Sequence, residues 1–201
     1  MAIKSISGLN LGFQMIHTHG FNPLLSKWQS AQVISISDDL PSADNGLVRW
    51  KRPRFGWVKC NVDGAVFSHL NRLGFGWVIR DVDGQMLAAS NGLLAGPLDA
   101  GLAEALSFRE ALSWLKAHSF SKAIMETDAL KVVQALKSQA SDPNYFGLII
   151  DECKVFLKDI TDCNVCYVRM SANNAAHSLA RASCSVSDVH VWGSVPPFFS
   201  L

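Results

Sequence analysis

The order in which hydrophobic periodicity changes along the chain restricts its fold more than any other feature. Between residues 56 and 90, strand-like runs of alternating or short apolar character follow one another with only turn residues between them. From Asp99 onward, stretches of helical period alternate with short buried strand-like runs. The predicted order is β-β-β-α-β-α-α-β-α. Short turns make the first three strands an antiparallel meander, whereas strands joined through helices must lie parallel. The fold class that meets both demands is α/β: a mixed five-stranded sheet, strand order 3-2-1-4-5, with helices on both faces.

Within that scheme three acids occupy unusual places. In "GWVKCNVDGAV" (56–66), Val58, Cys60 and Val62 alternate with Trp57, Lys59, Asn61 and Asp63. The alternation puts Asp63 inside the strand, on its more polar face. In "DAGLAEALSFREALSWLKAH" (99–118), Asp99 is the expected N-cap. Glu104 shares an inward stripe with Phe108, Ala111 and Leu115, while Glu110 falls on the solvent side. Asp128 stands where the short strand of "KAIMETDAL" (122–130) runs into a helix, a position that suits either an N-cap or a functional acid. Glu126 shares a strand face with Asp128 and reads as a partly exposed strand residue. Asp81 and Asp83, in "DVDG", read as turn acids of a hairpin.

The parallel pairing of strands 1 and 4 brings Asp63 and Asp128 together, with Glu104 arriving from a helix. Converging carboxylates repel unless cations neutralise them. A set of hard oxygen donors without a Cys/His cluster favours Mg2+ or Mn2+ over Zn2+. One or two such ions suit hydrolysis of a phosphodiester.

Composition bounds the remaining possibilities. The 201 residues carry a formal charge of only +1, so a nucleic-acid partner would have to be met by a local basic segment such as "RWKRPR" (49–54). No apolar run is long enough to span a bilayer, and no membrane partner is expected. The first twenty residues have neither the continuous apolar core of a signal peptide nor the arginines of a transit peptide. Five unevenly spaced cysteines argue against a secreted disulfide framework and read as buried, reduced thiols in an intracellular setting, nuclear or cytoplasmic. Cys163 and Cys166 form a C-x-x-C, but on a strand rather than at a helix N-terminus. The expected organisation is an N-terminal extension or linker at 1–48, with a weak helix at 24–34 and turn-rich residues at 35–46. A globular domain at 49–185 follows, then a C-terminal tail at 186–201; the default oligomeric state is a monomer.

The motifs "VDGA", "GFGWVIRDVDG", "AEALSFREAL", "METDALKVV" and "NNAAHSLAR" follow one another as in the type-1 ribonuclease H fold. The chain resembles plant ribonuclease H-like domains related to retroelement (non-LTR reverse transcriptase) polyproteins. Their "W..P..GWVKCNVDGA" opening and "W...PPF" ending match Trp50 to Ala65 and Trp192 to Phe198. The resemblance implies a metal site of Asp63, Glu104 and Asp128, and hydrolysis of the RNA strand of RNA–DNA hybrids. The family's fourth acidic position falls on His177, which implies either a ligand or proton-transfer role, or mere packing. Three further places depart from hybrid-cleaving relatives. Ala100 and Gly101 stand where those carry 2′-hydroxyl-contacting Asn residues, the loop "VRMSANNAA" lacks a histidine, and no hydroxyl or amide follows Asp128. These departures leave a second expectation: a domesticated module that binds nucleic acid or a protein without turnover.

Overall fold

The computed structural model describes residues 48–193 apart from Ser141. The helix expected at 24–34, the turn-rich stretch at 35–46 and the "PPF" ending lie outside the described residues. The elements are β1 (Val58–Phe67), β2 (Arg72–Arg80), β3 (Met86–Leu94), α1 (Ala100–Ala117), β4 (Lys122–Thr127), α2 (Leu130–Lys137), α3 (Tyr145–Asp159), β5 (Asp162–Tyr167), α4 (Met170–Ala182) and β6 (His190–Trp192).

The sheet order is β5-β4-β1-β2-β3-β6. β1, β2 and β3 form the expected antiparallel meander, and β1, β4 and β5 pair in parallel. The sheet has one strand more than expected, because His190–Trp192 pairs antiparallel with β3. Three residues are too short to carry a readable alternation, so this strand had no signature in the sequence.

The two sides of β1 face different surroundings. Val58, Cys60 and Val62 enter the main core with Leu106, Phe108, Leu112 and Leu115 of α1. On the other side, α4 lays Ala175 and Leu179 against Val78 and Ala89. Its small residues allow close approach: a Cβ on Gly76 of β2 would collide with the backbone at Ala180 and lie 2.7 Å from the Ala176 carbonyl oxygen. The hairpin turn acid is as expected, with Asp81 Oδ1 accepting the Asp83 and Gln85 amides and Gly84 at φ +78. All five cysteines are free, but only Cys60 and Cys153 are buried. Cys163 and Cys166 are half-buried because β5 is an edge strand, and Cys184 is exposed after α4.

Gly64 follows Asp63 and sets the approach of α1 to β1. A Cβ there would stand 2.5 Å from both the Ala103 carbonyl carbon and the Glu104 nitrogen. Backbone atoms cannot rotate aside as a side chain can. Gly64→Ala should therefore push α1 off the strand and lower stability by about 1–3 kcal/mol. A urea melt measures this; an unchanged midpoint contradicts the packing described.

Candidate metal centre

Three elements deliver the three acids. Asp63 lies in β1 opposite Gly76 of β2, with its carbonyl oxygen held by Ser107 Oγ of α1 at 2.6 Å. Glu104 comes from the first turns of α1, which Asp99 caps by accepting the Leu102 amide at 2.8 Å. Asp128 follows the end of β4. It does not cap α2: the N-cap position is Ala129, which has no side-chain cap, and Asp128 Oδ1 instead accepts Asn173 Nδ2 at 2.8 Å. One carboxylate oxygen from each of Asp63, Glu104 and Asp128 lies within 4.8 Å of the others.

The cluster carries strong mutual repulsion. Burial, then the Asp128 charge, raises the Asp63 carboxyl to about 6, against a lowering pull from His177. Burial, then the charges of Asp63 and Asp128, raises Glu104 to about 9. Glu104 Oε2 is buried without a hydrogen-bond partner. A buried partnerless oxygen on one of three clustered carboxylates is what a hard divalent cation would satisfy, so the donor set fits Mg2+ or Mn2+.

His177 sits on α4 with Nδ1 3.0 Å from Asp63 Oδ2, and its side chain is 43% exposed. It touches the cluster through Asp63 and is not one of the three grouped carboxylates. With Nδ1 turned to the carboxylate, Nε2 is the nitrogen available to solvent or substrate.

A polar core extends from the acids beneath α4, and here the sequence was least readable. Asn173 Nδ2 also reaches the Val62 carbonyl oxygen at 2.9 Å, and its Oδ1 accepts Asn61 Nδ2 at 3.2 Å. Asn61 Nδ2 in turn meets Glu126 Oε2 at 2.9 Å, and Glu126 Oε1 pairs with Lys59 Nζ at 2.7 Å. Glu126 is thus not partly exposed as expected; it is buried and paired with Lys59. The alternation had marked Lys59, Asn61 and Asp63 as one polar face, but nothing local showed that α4 would bury it. Asn61 and Asn173 carried no signal beyond position.

The raised carboxyls predict an inverted pH response in the metal-free protein. Between the ordinary carboxylate range and their folded values, the folded chain binds more protons than the unfolded one, so stability falls as pH rises. With chelator present, Tm should decline from about pH 5 through about pH 9, and saturating divalent ion should flatten the decline. Differential scanning fluorimetry across that range checks this; a Tm that climbs with pH in chelator contradicts it.

A mixed six-stranded sheet with a carboxylate cluster beside its central strands defines a ribonuclease H-like fold. The model of the reverse transcriptase-like family matches residues 61–183, and the chain belongs to that family. No curated protein matches it. Among solved structures, RNase H1 of the halophilic archaeon Halobacterium salinarum NRC-1 is similar with a TM-score of 0.58 at 20% identity, over 64% of this chain and 98% of that one. LC11-RNase H1, isolated from compost by a metagenomic approach and solved with an RNA/DNA hybrid, is similar at 0.56 and 15% identity, over 64% and 96%. The foamy viral protease-reverse transcriptase, solved with dsDNA, is similar at 0.51 and 18% identity, over 63% and 92%. These likenesses concern the fold.

Proposed function

We propose that this domain binds nucleic acid and hydrolyses the RNA strand of RNA–DNA hybrids, with Asp63, Glu104 and Asp128 holding one or two Mg2+ or Mn2+ ions. The observation that carries the reading is the convergence of three carboxylates, one with a buried partnerless oxygen, on a fold shared with a hybrid-bound ribonuclease H. Bound divalent ions supply Lewis-acid polarisation of the phosphodiester and offset the carboxylate charge. Asn173 keeps the Asp128 carboxylate in one orientation. His177, held through Nδ1 by Asp63, offers Nε2 to take a proton from the attacking water or return one to the leaving oxygen. The expected products carry a 3′-hydroxyl and a 5′-phosphate.

At Ala100 and Gly101 no side-chain amide is available to meet a 2′-hydroxyl. Lys131 Nζ lies 3.5 Å from the place a Cβ on Gly101 would occupy, so this edge presents a cation. Discrimination of RNA from DNA should accordingly be weaker than a dedicated 2′-hydroxyl contact provides.

The test is incubation of the full chain with end-labelled hybrid, single-stranded RNA and duplex DNA in Mg2+ and in Mn2+. The reading requires cleavage of the RNA strand of the hybrid in at least one metal. Absence of cleavage in both overturns it in favour of binding without turnover. His177→Ala should lower kcat about 100-fold, the lower end of general acid–base contributions; an unchanged pH–rate profile in that variant would remove His177 from proton transfer.

A further inference from the structure

The segment "VRWKRPR" (48–54) precedes β1 and is absent from the catalytic account, although it concentrates charge in a chain of net charge +1. Arg49, Lys51, Arg52 and Arg54 are all exposed. Among the described residues, no carboxylate pairs with any of them, whereas Lys59, Arg109, Lys116 and Lys154 each have an acidic partner.

This segment is strapped to the domain along its length. Ser171 Oγ, in the first turn of α4, donates to the Val48 carbonyl oxygen at 2.8 Å. The Trp50 ring lies against two buried cations, with Arg80 Cζ 4.8 Å and Lys59 Nζ 5.4 Å from its centroid. Lys59 Nζ also donates to the Lys51 carbonyl oxygen at 2.6 Å. Pro53 is buried, and the Arg54 guanidinium stacks on Trp57 at 3.9 Å. Backbone and aromatic groups thus anchor the strap inward while its cationic side chains stand in solvent.

Its place relative to the acids follows from the same contacts. Lys59 is four residues before Asp63 on the same face of β1, about 13 Å along the strand. Ser171 is on the helix that carries Asn173 and His177, six residues or about 9 Å before the latter. A duplex advances about 3.4 Å per step, so about three to four steps separate a phosphate at the carboxylates from one at the strap.

We propose that the strap at 48–54 is a second contact surface for the nucleic-acid substrate: a cationic rail for backbone phosphates about three to four steps from the proposed metal centre. The proposal rests on the nuclease reading for the identity of its ligand. It places the positive charge needed to hold a polyanion beside an acidic site on a protein whose formal net charge is only +1. Contacts of this kind position the duplex and carry no sequence preference.

The test compares hybrid binding by Asp128→Asn protein in Mg2+, used to keep the substrate intact, with and without Arg49→Gln, Lys51→Gln and Arg52→Gln. Of these three side chains only Arg52 packs on the domain, its Nε beside Gly84 of the hairpin turn, and the Trp50, Pro53 and Val48 contacts remain. A control carries Lys122→Gln, Lys137→Gln and Lys158→Gln, which remove the same charge from other exposed positions. Fluorescence anisotropy should show binding at least about tenfold weaker in the strap variant, with the salt slope reduced by about 0.9 for each lost phosphate contact. The control should stay near the parent. Equal affinity and slope in parent and strap variant overturn the rail, as does equal weakening in the control. Strap-dependent binding by a wild-type chain that cleaves nothing upholds the rail and removes the nuclease reading. Wild-type cleavage with KM unaffected by the strap changes does the reverse.

Discussion

On the proposed function, Asp128→Asn should abolish useful turnover while leaving the fold intact. The carboxamide keeps an oxygen where Asp128 Oδ1 accepts Asn173 Nδ2, so the hydrogen bond seen at 2.8 Å survives. What disappears is one of the three carboxylate charges proposed to hold the ions. Electrostatic stabilisation by bound metal is worth several kcal/mol at the transition state. At about 1.4 kcal/mol per tenfold, kcat should fall by roughly 10³. Single-turnover cleavage of labelled hybrid measures the loss. The metal-free variant should also melt higher than its parent, since the Asp128 charge raises both Asp63 and Glu104. Retained turnover, or a fall in metal-free Tm, contradicts this account of the site.

Glu126→Gln should be the most destabilising conservative change in the polar core. Both Glu126 oxygens accept from donors, Lys59 Nζ at 2.7 Å and Asn61 Nδ2 at 2.9 Å. A glutamine must turn its NH2 toward one of them, placing donor against donor. It also leaves the Lys59 ammonium, whose side chain is 7% exposed, without its counter-charge, and the Arg80 guanidinium loses a nearby acid. Breaking one side of a buried pair costs about 3–5 kcal/mol. Denaturant melts should show a loss of that size, and divalent-ion affinity should weaken through Asn61 and Asn173. A loss below about 1 kcal/mol would mean that water screens the pair as at a surface.

Much of the fold was legible because its signals are local. The alternation in β1, the Asp-Gly turn and the Asp99 cap each report on a few neighbouring residues, and their order implied the pairing of strands 1, 4 and 5. Asp63 and Glu104 were visible from local pattern too, Asp63 as an acid inside a strand and Glu104 as an acid on an inward helix stripe where it is costly. Asp128 was ambiguous, since a strand-to-helix junction also suits a cap; the structure excludes the cap, and its partner Asn173 is distant in sequence. Glu126 was misread because its burial depends on α4 and on Lys59, neither evident from β4 alone. β6 was missed because three residues carry no periodicity.

The most direct test of the central claim, that these carboxylates form a divalent-ion site, is metal-dependent melting of wild-type and Asp128→Asn proteins. An ion that binds only the folded state raises Tm with its concentration. At pH 7 the wild type should gain several degrees in millimolar Mn2+ or Mg2+, and the variant should gain little. No shift in either protein, or equal shifts in both, would mean that Asp63, Glu104 and Asp128 remain on this fold without holding an ion.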